Sequence, residues 1–106
     1  MAFFTSVSKE ITHISASNTG RGIASRLRSF LSKCGFTNIE IKGTGPRGGL
    51  PYASGFAESP KGLWYFSTSC CDDTLLMRTA QHRKDWTGGH NMYPHDAEEC
   101  KSIAGL

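Results

Sequence analysis

No stretch of this chain approaches the roughly 20 consecutive apolar residues that a membrane-spanning helix needs. Met1-Ala2-Phe3-Phe4 lacks the positive start and sustained apolar core of a secretory leader, which points to a cytoplasmic location in a bacterial or host cell. Repeats are missing as well, and the 12 glycines are too scattered to form a low-complexity tract. Gly-x-Ser-x-Gly and His-Glu-x-x-His do not occur, so the common signatures of a serine hydrolase and a zinc peptidase are absent. Acids are scarce at the front: residues 1–50 contain only Glu10 and Glu40 against seven Lys and Arg. Residues 51–106 carry seven acids against five cations. One half is therefore +5 and the other −2, an asymmetry that suggests an acidic partner for one face, or a dipolar surface that orients the molecule.

What is present fits one folded unit. With 106 residues, 38 % of them hydrophobic and 20 % charged, the chain can bury one core and has no room for a second, so residues 1–106 read as a single domain. The four cysteines, Cys34, Cys70, Cys71 and Cys100, read as reduced thiols. Adjacent Cys70 and Cys71 are poor disulfide partners, because neighbouring Cα atoms lie about 3.8 Å apart and a bridge prefers more.

Hydrophobic periodicity supplies the elements. Ile23, Leu27, Phe30, Leu31 and Cys34 make one apolar stripe of a helix over residues 20–34, with Gly35 placed to end it. Phe4, Val7, Ile11 and Ile14 suggest a short helix or an irregular arm over 3–15. Strands are expected at 37–42, 50–56, 63–69 and 74–79, and a short helix capped by Asp96 at 97–104. Within 63–69, Leu63 and Tyr65 alternate with Trp64 and Phe66, as in a central strand covered on one side by the helix. The fold class is α+β, with an N-terminal amphipathic helix on a four-stranded antiparallel meander and a short C-terminal helix.

Two segments carry candidate contacts. On a helical wheel, Ser25, Ser29 and Ser32 lie opposite the apolar stripe of 20–34, bordered by Arg21 and Arg28 on one side and Arg26 and Lys33 on the other. Hydroxyls with flanking cations suit close approach of a polyanion, and Arg47 in the glycine-rich loop 43–49 extends the set. That loop leads into an extended segment, unlike a phosphate-binding loop, which leads into a helix. Residues 78–95 form the densest chemistry, with Arg78, His82, Arg83, Lys84, Asp85, Trp86, His90, Asn91, Tyr93 and His95 on a predicted loop.

The expected function is that of a small non-enzymatic interaction protein. Its partner would be a nucleic acid, or the acidic surface of a protein that handles one, and it would need no cofactor. One version is a phage or mobile-element inhibitor of a host system, a type of protein often this small and without catalytic motifs. The competing reading is a small enzyme or metal protein built on His82, His90, His95, Cys100 and the other thiols, although their spacing is not that of a zinc finger.

Overall fold

The computed structural model describes residues 8–45, 50–85 and 89–106. It has two N-terminal helices, a four-stranded antiparallel meander and a short C-terminal helix, the expected α+β class. Helix α1 (Lys9–Ser15) starts at Ser8 and buries Ile11 and Ile14. Of the spacing that suggested it, Phe4 and Val7 lie outside the described residues.

Helix α2 (Gly20–Cys34) carries the core stripe as expected, with Ile23, Ala24, Leu27, Phe30, Leu31 and Cys34 all buried. The Thr19 hydroxyl accepts from the Gly22 N–H at 3.0 Å, satisfying one of the donors left free at a helix start. Gly35 ends the helix in the left-handed region (φ 103°), a conformation that favours glycine. The Phe36 N–H then returns to the Leu31 carbonyl at 3.1 Å.

Strands β1 (Thr37–Thr44), β2 (Tyr52–Ser59), β3 (Gly62–Ser69) and β4 (Leu76–Thr79) lie side by side in chain order. Their register sorts side chains by face. Ile41, Gly55, Phe66 and Met77 share one row toward the helices, and Ala53, Ala57, Trp64 and Thr68 point the same way. The opposite face carries the rows Glu40–Phe56–Tyr65–Arg78 and Lys42–Ser54–Ser67–Leu76. Trp64 and Phe66 thus belong to the core, where Phe66 meets Phe36 edge to face at 5.2 Å.

Two glycines let α2 sit directly on β1. A Cβ on Gly43 would overlap the Gly20 carbonyl, and one on Gly20 would overlap the backbone of Thr44. Helix α3 (Ala97–Ala104) is capped by the Asp96 carboxylate, which accepts from the Glu99 N–H at 2.8 Å. It is tied to the sheet through a relay in which Trp64 Nε1 donates to Ser59 Oγ (2.8 Å) and Ser59 Oγ donates to the Ala104 carbonyl (2.7 Å). The three helices of the described residues lie on one side, and among those residues no helix covers the second face of the sheet.

Candidate functional site

The open face is partly crossed by the segment 81–85. Arg83 follows β4, yet its guanidinium reaches β2 and β1, at the far side of β3. One nitrogen meets Glu58 at 2.6 Å and the Asn38 carbonyl at 2.9 Å, and the other meets Glu40 at 2.5 Å. Asp85 anchors the same segment, its carboxylate accepting from the Gln81 N–H at 3.0 Å and its carbonyl from Arg78 Nη2 at 3.0 Å. The result is a strap of five residues over the end of the sheet where β1 begins and β2 finishes. Arg83, and then Asn38, hold the Glu58 carboxyl below the usual carboxylate range by bonding to its charged form.

Phe56 and Tyr65 meet edge to face at 5.4 Å in the central row, and Phe56 is only 3 % exposed. The Arg78 guanidinium stacks over Tyr65 at 4.3 Å from the ring centre, a cation–π contact. At 3 % exposure Arg78 is a buried residue, with Nη1 3.9 Å from the Asp85 carboxylate. It holds the face together from within and offers a partner no surface.

Tyr52, near the start of β2, divides the rest of the open face into two grooves. A groove of about 550 Å³ runs along β1 and β2, between Lys42, Tyr52, Phe56, Tyr65, Arg83 and Lys84. A second, of about 400 Å³, lies on its other side, bordered by Leu50, Leu76, Asp72 and Tyr93. Leu50 (64 % exposed), Tyr52 (42 %) and Tyr93 (50 %) are three of the four large hydrophobic side chains exposed among the described residues. Lys42 and Lys84 make no ion pair among the described residues. Lys42 also faces a shallow pocket at the β1 edge shared with Arg21 and Arg28. Positive charge therefore continues from α2 around that edge into the larger groove.

The two segments singled out in the sequence do not come together, because α2 covers one face of the sheet and 81–85 the other. Along α2, Ser25, Ser29 and Ser32 are exposed, as the wheel implies. Two of its four bordering cations are engaged within the fold: Arg26 donates to the His13 carbonyl at 2.8 Å and Arg28 to the Ile41 carbonyl at 2.7 Å. Arg21 and Lys33 remain exposed, Lys33 beside a groove of about 290 Å³ between α1 and α2. His82 is exposed and accepts the Lys84 N–H on Nδ1 at 3.1 Å, and Asn91 is exposed. Arg47 and Trp86 lie outside the described residues. Lys42, Leu50 and Tyr52 were not evident from the sequence, where each reads as an ordinary strand residue.

The histidines and thiols do not converge. His95 pairs with Glu99 at 3.2 Å, His82 and His90 are exposed, and Cys100 is buried beside Cys34. Among the described residues no three His, Cys, Asp or Glu side chains are grouped to hold a metal ion. No helix among the described residues is long and apolar enough to cross a membrane. No family model, curated protein or solved structure matches the chain.

Proposed function

We propose that this chain is a small non-enzymatic interaction protein that docks its open sheet face on an acidic, partly apolar surface of another protein. The observation that carries the reading is the grouping of Leu50, Tyr52 and Tyr93 at one end of that face, beside Lys42 and Lys84, which make no ion pair among the described residues. Tyrosine on a rigid strand is an effective anchor, giving a large contact at low entropic cost, and cations at the rim steer an acidic partner. Of the two partner classes drawn from the sequence, exposed leucine and tyrosine favour a protein over bare phosphate, which would ask for cations and stacking rings alone. A protein that handles nucleic acid is the partner the charge asymmetry suits, and inhibition of such a host system is one form of the activity.

Affinity capture with nuclease treatment, repeated with Tyr52→Ala/Tyr93→Ala and Lys42→Glu/Lys84→Glu chains, tests this. A captured protein should survive the nuclease step and be lost with either double variant. Each tyrosine anchor should contribute about 2 kcal/mol, roughly 30-fold in affinity. Capture that depends on nucleic acid and weakens steeply with salt would replace the protein partner with a phosphate backbone. Capture insensitive to both variants would remove the open face from the function.

A further inference from the structure

Strand β3 ends at Ser69, and the chain then places two cysteines in succession at a tight turn. Consecutive residues of a strand point to opposite faces, which would separate their thiols. Here Cys71 adopts a left-handed backbone (φ 63°), unusual for a residue with a β-carbon. The alternation is broken and the two sulfurs sit side by side, 3.4 Å apart. Cys71 is exposed and Cys70 is 8 % exposed, so a small reagent meets Cys71 first.

The backbone holds this arrangement from several directions. The Cys70 N–H donates to the Pro51 carbonyl at 2.8 Å and the Cys71 N–H to the Ser15 carbonyl at 2.9 Å. The Ser15 hydroxyl in turn donates to the Asp72 carbonyl. A site anchored to both α1 and the start of β2 is preorganised, so closing a ligand between its sulfurs orders little new chain.

The geometry selects among thiol chemistries. A disulfide needs sulfurs about 2.05 Å apart and Cα atoms beyond about 4.4 Å, whereas adjacent trans residues give about 3.8 Å. Zinc, with bonds of about 2.3 Å at tetrahedral angles, wants sulfurs about 3.8 Å apart and four ligands. Among the described residues no third His, Cys, Asp or Glu side chain is grouped with the two sulfurs to hold a metal ion, and Asp72 Oδ1 is turned to the Thr74 N–H (3.0 Å) and hydroxyl (2.8 Å). The observed 3.4 Å suits one thiophilic atom with bonds of similar length but an S–X–S angle nearer a right angle, satisfied by two sulfurs.

We propose that Cys70 and Cys71 form a chelating dithiol for trivalent arsenicals, closing a ring across the two sulfurs. The step is a condensation. An arsenoxide R–As=O takes two thiols, two As–S bonds form, and the oxygen leaves as water with both thiol protons. Arsenic stays trivalent and no oxidant is consumed. Cys71 attacks first, because the hydrogen bond between the sulfurs, followed by burial, pushes the Cys70 thiol up. Cys70 then closes the ring.

The test is titration of the reduced full-length chain with phenylarsine oxide, followed by intact-mass measurement. The expected result is one adduct per chain with loss of one water, displaced by a small 1,2-dithiol but not by a monothiol. Cys71→Ser and Cys70→Ser should each weaken binding by about 100-fold or more, because the second bond is intramolecular. Circular dichroism should confirm that each single variant is folded, and Cys71→Ser, at an exposed position, is the decisive one. A Cys34→Ser/Cys100→Ser chain should bind as the parent does. Undiminished affinity in folded Cys71→Ser, loss in the Cys34/Cys100 variant, or no adduct at all would overturn the assignment.

Discussion

Arg83 draws one guanidinium toward two carboxylates and a carbonyl, and its contribution depends on their charge. The folded Glu58 carboxyl lies below its ordinary range, so between the folded and unfolded values the unfolded chain binds more protons. The stabilisation is thus present above the unfolded value, about pH 4, and is lost as pH falls through the lowered one. Melting temperatures of the parent and Glu58→Gln should differ at neutral pH and converge as the pH falls through that lowered value. A gap that stays constant with pH would mean that Glu58 acts by shape alone. The thiols give a second expectation. Iodoacetamide should label Cys71 first, while Cys34 and Cys100 react only on unfolding, because they are buried against each other and the Cys100 thiol is driven far up by its bond to Cys34 and by burial. Mass mapping of a labelling time course reads this order.

At the scale of elements, α2 and the sheet were largely legible, and the reasons are specific. The stripe from Ile23 to Cys34 repeats at the helical period, and Leu63 to Phe66 alternates at the strand period, so burial alone dictates both. The acceptors of Arg26, Arg28 and one bond of Arg83 were not legible, because each is a backbone carbonyl, present at every residue and marked by none. The strap was hidden for the same reason, since its reach across β3 depends on tertiary register. Adjacent cysteines carry no sign of the left-handed turn that aligns them. The contact of α2 with β1 is equally silent, although it explains two glycines in one stroke. Gly43→Ala should cost about 1–3 kcal/mol in a denaturant melt, because a methyl must displace the Gly20 carbonyl. Gly45→Ala, where a methyl meets nothing within 4 Å among the described residues, should cost far less.

For the whole molecule, the expected class and strand order stand, and the expected site divides between two opposite faces. Helices fill one side of the sheet and leave the other to a strap and two grooves, so polar contacts with a partner can change without touching the core. Tyr52→Ala/Tyr93→Ala should therefore leave the melting temperature within about 5 °C, given that exposed substitutions are usually within 0.5 kcal/mol each. The order β1-β2-β3-β4 has a further consequence, for time rather than stability. Every strand pairs with its neighbour in sequence, so the sheet assembles by successive hairpin closures and no distant segment has to thread between strands already in place. Such local pairing closes small loops, each at modest entropic cost. Refolding on the order of milliseconds, as a single phase in stopped-flow tryptophan fluorescence, is the expected signature of a sheet that can zip from either edge.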